Sequence, residues 1–194
     1  MKTMVVAAVV AVLASSVWAE PAEAAGDEKK LQKTGKVLIN AIRYKKDDLA
    51  AKQLDFDAMV AGLLESEWSR LPAAEKKFFV DGMAELIRGI SFKAGRDSFQ
   101  YLDAITYGSA KQNGSKAMLP STIVIDHPIK GRSELKITWA LAKTGASWRV
   151  YDTVILGEST MEGIREDQIE VLLEEGGIAR VKEAMSDKLA EVRG

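Results

Sequence analysis

ELKITWALAKTGASWRVYDTVILGESTMEGIREDQIEVLLEEGG, from Glu134 through Gly177, decides the fold. Leu135, Ile137, Trp139 and Leu141 alternate with Lys136 and Thr138, a period of two that gives a strand one buried face. Past the short turn Lys143–Ser147, Trp148, Val150 and Val154 alternate in the same way. Two such runs joined by a Gly-containing turn predict an antiparallel hairpin. The second run ends in Gly157-Glu158-Ser159, where Ser159 or Thr160 can cap a following helix. That helix, about Arg165–Glu175, stops at Gly176-Gly177. The stretch offers a broad apolar surface and no concentration of catalytic groups.

Upstream, Asn113-Gly114 is a strong short hairpin signal and separates strands over Asp103–Lys111 and Lys116–Asp126. His127–Arg132 makes the next turn, so four strands follow one another as an antiparallel meander. The flanks read as helices. Leu31, Val37, Leu38, Ala41 and Ile42 form one stripe; Met59, Val60, Leu63, Leu64 and Trp68 form another, with Asp55 as its N-cap. Pro72 suits a first helical turn, and Phe79, Met83, Leu86, Ile87 and Ile90 follow at helical spacing, with irregular helix toward Phe99. A last helix over Ile178–Val192 carries Val181, Met185 and Leu189. Helices, a meander and helices again predict an α+β fold, the helices packed on one sheet face.

Residues 1–19 read as a signal peptide: Lys2, an apolar Met4–Ala14, then Val17-Trp18-Ala19 before a cut. Ala22-Glu23-Ala24 is a second candidate cut. An apolar run of 11 residues is short of the roughly 20 that span a bilayer. Glu20–Lys30 reads as a flexible lead-in, and 31–194 as one domain. With no Cys there is no disulfide framework. Charges nearly balance and no basic block occurs, so the sequence lacks an electrostatic footprint for nucleic acid.

Motifs for catalysis are thin. His127 stands alone beside Pro128 and reads as a loop residue, without companions at metal-ligand spacing. Gly157-x-Ser159 lacks the second glycine of a nucleophile elbow. Gly176-Gly177 follows a helix and so cannot be a phosphate loop. The carboxylates Glu162, Glu166, Asp167, Glu170, Glu174 and Glu175 read as a solvated face, or as a dock for a basic partner. Asp152 shares the strand face of Trp148, Val150 and Val154, so either that face becomes exposed there or Asp152 is paired with Arg149 or Arg165, a structural pairing being expected ahead of catalysis.

Two blocks resemble the toluene-tolerance family, the MlaC-like periplasmic phospholipid-binding proteins that act as auxiliary components of ABC transporters. The first is Asp55-Phe56-Asp57-x-Met59 with Leu63, Trp68, Leu71, Glu75 and Phe79; the second is Trp148-Arg-Val-Tyr-Asp152, Gly157-x-Ser159, Arg165 and Gly177-Ile178. The likeness runs from about Leu31 to Leu189. Gly163-Ile164 stands where the family usually has Asn-Tyr, an aromatic soon after Arg165 is missing, and no Ser or Thr precedes Pro72. The resemblance implies an MlaC-like apolar pocket between sheet and helices, and a carrier of diacyl phospholipid between inner and outer membranes. Its implied partners are an inner-membrane ABC transporter complex with an MCE-domain protein and an outer-membrane lipoprotein–porin complex, with no cofactor and no catalytic residue. The candidate lipid contacts are Phe79, Met83, Ile87 and Ile90 on the helix, facing Ile137, Trp139, Val150 and Val154 on the sheet. Two other readings stay open: a non-catalytic envelope interaction protein with a solid core, and a cone-shaped α+β enzyme using Asp152 or Asp103.

Overall fold

The structure, a computed structural model, describes residues 22–194, with side chains from Asp27 onward; the segment 1–19 read as a signal peptide lies outside the described residues. The first half is helical: α1 (Ala22–Arg43), α2 (Asp47–Ala51), α3 (Phe56–Leu64), α4 (Ser66–Arg70), α5 (Ala73–Leu86) and α6 (Phe92–Phe99). Then come the strands β1 (Leu102–Tyr107), β2 (Lys111–Asn113), β3 (Lys116–His127), β4 (Gly131–Thr144), β5 (Ser147–Ile155) and β6 (Glu158–Ser159). The helices α7 (Thr160–Ile164) and α8 (Glu170–Arg193) close the chain. This is the expected α+β order, with an antiparallel sheet between N- and C-terminal helices.

The sheet has six strands among the described residues, not four, in the order β1-β3-β4-β5-β6, with β2 also on β3. Both additions are short and local. The strand expected over Asp103–Lys111 divides opposite Pro120: Gly108 N–H donates to Pro120 C=O at 2.9 Å, but proline has no N–H to return, so the ladder breaks there. β6 folds back on β5 through Leu156-Gly157, whose φ values of 56° and 93° suit a tight two-residue hairpin.

Two departures from regular period displace residues singled out in the sequence, each time because one residue is added. Leu141 lies opposite Val150 and Ala140 opposite Asp152, so Tyr151 is an unmatched bulge residue. Cross-strand partners share a face. Beyond the bulge Thr153 and Ile155 face the Trp139 side, while Val154 pairs with Thr138 on the other. Val154 is thereby separated from Trp148 and Val150. In the helix, a π-helical turn over Ile87–Ser91 joins α5 to α6. Its wider turn shifts the apolar stripe; Ile90 is 43% exposed and Phe92 takes the buried position.

Two apolar clusters result. The larger packs Leu119, Ile123, Ile137, Trp139, Leu141 and Val150 of the sheet on Leu31, Leu38 and Ile39 of α1 and on Phe92 of α6. The smaller joins Val60 and Leu64 of α3 to Leu71, Phe79 of α5 and Val181 of α8. One indole inside the larger one finds its partner within the sheet. Trp139 Nε1 donates to Ser121 Oγ at 2.7 Å, and Ser121 Oγ donates to Ile137 C=O at 3.1 Å.

Helix α1 reaches back to Ala22, into the stretch read as a lead-in, and Asp27 is buried there. Lys30 donates to it at 3.0 Å and Lys143 of β4 at 3.3 Å. The Lys30 hydrogen bond, with Lys143, outweighs the opposing effect of burial and holds the Asp27 carboxyl at about 2.

Asp55 caps α3 as its sequence position suggests: its carboxylate accepts from Ala58 N–H at 3.1 Å and from Thr144 Oγ1 of β4 at 2.6 Å. Its own N–H donates to Val150 C=O, and Val150 N–H donates to Gln53 C=O, both at 2.8 Å. Asp55→Ala therefore removes a cap and leaves Thr144 unpaired; urea unfolding should show a loss of about 1–2 kcal/mol, with Asp55→Asn costing less. For Asp27 the folded pKa lies below the unfolded one, so its contribution is present above the unfolded value of 3.8 and fades as pH falls through the folded value. The stability difference between the native chain and Asp27→Asn should shrink as urea titrations move from pH 5 toward about pH 2.

Candidate functional site

Helix α3 divides two cavities. On one side lies an apolar space of about 150 Å³, walled by Val60 and Leu63 of α3, Phe79 and Met83 of α5, and Val181 and Met185 of α8. Gln168 and Lys188 stand among its lining. On the other side a cleft of about 490 Å³ runs between Gly62, the β-residues Lys116, Ala142 and Tyr151, and Met161 and Arg165. Paired methionines give the first cavity unbranched, adaptable walls.

The helical layer closes over that cavity by close backbone approach. A Cβ on Gly82 would lie 2.7 Å from Met185 Sδ, and one on Gly89 would overlap Val192. Arg193 of α8 adds two hydrogen bonds to the carboxylate of Glu85, at 2.6 and 2.7 Å. α8 bends at Gly176-Gly177, where φ/ψ values of −167°/20° and 65°/−157° leave the helical region. The glycines thus end one helical segment and start another, as the sequence indicates.

The carboxylate of Asp152 joins sheet to helix. It accepts from Ser159 Oγ at 2.6 Å, from Met161 N–H at 3.0 Å and from Thr153 N–H at 2.7 Å. Ser159 Oγ in turn accepts from Glu162 N–H at 2.9 Å and caps α7. The pairing expected for Asp152 is structural, but its partners are a serine and backbone amides in place of Arg149 or Arg165. Arg165 is ringed by Glu170, Glu65 and Glu166 instead. Asp103, the other candidate acid, pairs with Arg132 at 2.8 Å. His127 Nδ1 accepts the N–H groups of Ile129 and Lys130, both at 3.1 Å, and so shapes its own turn.

The candidate lipid contacts do not meet around one space. Phe79 and Met83 line the helical cavity. Ile137, Trp139 and Val150 are buried in the sheet cluster, and Ile87 packs against that cluster from the π turn. Val154 lines a groove on the opposite sheet face with Pro120 and Thr138, and Ile90 is exposed. The cavity residues missed in the sequence, Val60, Val181 and Met185, sit at helical spacing within stripes that read equally well as packed core.

The family model described as MlaC protein matches residues 27–187. No curated protein sequence matches the chain. Among solved structures, the phospholipid-binding protein from Ralstonia solanacearum, in complex with a phospholipid, is similar. Identity is 14%, the TM-score is 0.69, and the likeness covers 86% of this chain and 98% of that one. Its fold is this fold at distant identity.

Asp152→Ala would leave Ser159 and two backbone N–H groups without their acceptor. Urea unfolding should register a loss of roughly 2–4 kcal/mol, and Asp152→Asn, which keeps one acceptor oxygen, a smaller one.

Proposed function

The chain belongs to the MlaC protein family, and from that premise we propose that it is a periplasmic phospholipid carrier. It moves diacyl lipid between inner and outer membranes as the soluble component of an MCE/ABC-type system. Residues 1–19 direct it to the periplasm. Its partners are an inner-membrane ABC transporter complex with an MCE-domain protein and an outer-membrane lipoprotein–porin complex. The observation that carries this reading is the apolar cavity of the helical layer in a fold whose Ralstonia neighbour holds a phospholipid.

The energetics favour such a carrier. A diacyl lipid has roughly 30 methylenes at about 0.8 kcal/mol each, so free passage through water costs over about 20 kcal/mol. Between a bilayer and an apolar pocket the chains lose little, so transfer direction comes from the partners. At about 150 Å³ the cavity equals some five water volumes of about 30 Å³. Acyl chains therefore need α8 to part from α5, with Gly176-Gly177 as the pivot and Phe79 and Met83 as the first contacts. Ile87, which follows the cavity residue Leu86 and packs against the sheet cluster, leads onward to the sheet side chains Ile137, Trp139 and Val150.

Organic extraction of the purified mature protein, followed by mass spectrometry, should recover diacyl phospholipid. Met83→Lys places a charge in the cavity and should cut the recovered lipid severalfold while thermal unfolding by circular dichroism shows a folded chain. Repeated recovery of empty protein that takes up no labelled phospholipid from vesicles would refute the reading.

A further inference from the structure

Away from the helical cavity, α1 and the edge of β1 wall a groove of about 570 Å³. Lys29, Lys33, Lys36 and Arg43 line it from α1, three to seven residues apart and so along one side of the helix. Among the described residues, no carboxylate lies within ion-pair distance of Lys29, Lys33 or Lys36. Asp103, the carboxylate in the groove, is held by Arg132 at 2.8 Å. Glu28, one turn below Gln32, accepts from that residue at 3.5 Å. The groove is thus basic with its one acid already paired.

Its other wall is an open strand edge. β1 is the terminal strand of the sheet and pairs only with β3, so half its backbone groups lack a strand partner. Gly108 N–H donates to Pro120 C=O, and antiparallel pairing alternates. The N–H and C=O groups of Ile105 therefore face away from β3. The register is regular from Ala104 to Tyr107, past the bulge at Asp103. Arg43 already donates to the carbonyls of Leu102 and Gln100, both at 3.4 Å, at one end of the groove.

We propose that this groove takes an extended acidic segment of a partner protein, added to β1 as a further strand. The dimensions agree. From Lys29 to Arg43, α1 rises about 21 Å at 1.5 Å per residue, and a six-residue strand spans about 20 Å. Alternate side chains on the added strand recur every ~6.7 Å, and lysines three or four apart on α1 every ~5–6 Å. Carboxylates at alternate positions then meet the lysines while the backbone pairs with the edge. A lipid headgroup layer would use the charges alone and leave the concave edge of donors and acceptors empty. This site is independent of the lipid cavity.

The test uses the full mature chain and a fluorescein-labelled peptide of alternating glutamate and threonine, six residues long, with a lysine–threonine peptide as control. Fluorescence anisotropy should show saturable binding of the acidic peptide only. Lys33→Glu combined with Lys36→Glu, on exposed positions, should weaken it at least about tenfold with an unchanged circular-dichroism melt. Bound peptide should also slow amide hydrogen exchange at Ile105. Absence of saturable binding, insensitivity to the charge reversal, or binding without protection of β1 would each overturn the proposal. So would loss, on the same reversal, of binding to phosphatidylglycerol vesicles by a chain that ignores the peptide; that would assign the stripe to a membrane surface.

Discussion

The peptide at Val150 ties the sheet to the helical half. Its N–H and C=O hold Gln53 and Asp55 against the edge of β5, and Asp55 starts α3. The residue after it is the bulge, which turns the strand over and sends Asp152 to the start of α7. Helix α3, and α7 with Ile164 at the cavity, are therefore both placed from Val150 and Asp152, on either side of the bulge. Two stretches on which the sequence resemblance rests, Asp55-Phe56-Asp57 and Trp148-Arg-Val-Tyr-Asp152, are the two partners in that junction. Their chemistry is that of assembly: a cap, a bulge and a carboxylate that gathers amides.

Local chemistry made much of this legible in the sequence. Asp55 and Ser159 announce caps because a short acceptor side chain ahead of an apolar helical stripe satisfies exposed N–H groups. Asn113-Gly114 announces a turn, and Gly176-Gly177 a break in helix, through backbone freedom. The bulge at Tyr151 and the π turn at Ile87–Ser91 were not legible. Each adds one residue to a regular period, and a side-chain pattern carries no mark of the place where the count slips. Val154 and Ile90 lie just beyond these slips, which is why they leave the faces on which a constant period puts them. Pro120 was a readable signal of a different kind: a proline within a strand removes a donor, and the neighbouring strand divides there. The division of the interior into two clusters depends on which helix covers which stripe, and Phe79 and Trp139 look alike until the chain is folded.

An interior in two parts suits the proposed carrier role better than one continuous core. The sheet cluster, with Trp139 satisfied by Ser121 and the strands knitted to α1, needs no movement to keep the fold. In the helical cluster, the contacts between α5 and α8 include Met83, Met185 and Gly82. Methionine tolerates a change of neighbours, and glycine lets two helices touch without interlocking side chains. Rearrangement there disturbs few of the hydrogen bonds that define the sheet.

The union of α5 with α8 also bears on how the chain acquires its shape. Glu85 and Arg193, which join the two helices, are 108 residues apart in sequence, whereas the strands pair with near neighbours. Closing so long a loop costs more chain entropy than forming a hairpin, and contacts of high sequence separation form slowly. In a polypeptide that emerges from its N-terminus, α5 must wait for the last residues before Phe79 gains its final cover. The surface that would take up an acyl chain in the mature protein is the same surface left exposed during biogenesis, when a chaperone has its best opportunity to hold it.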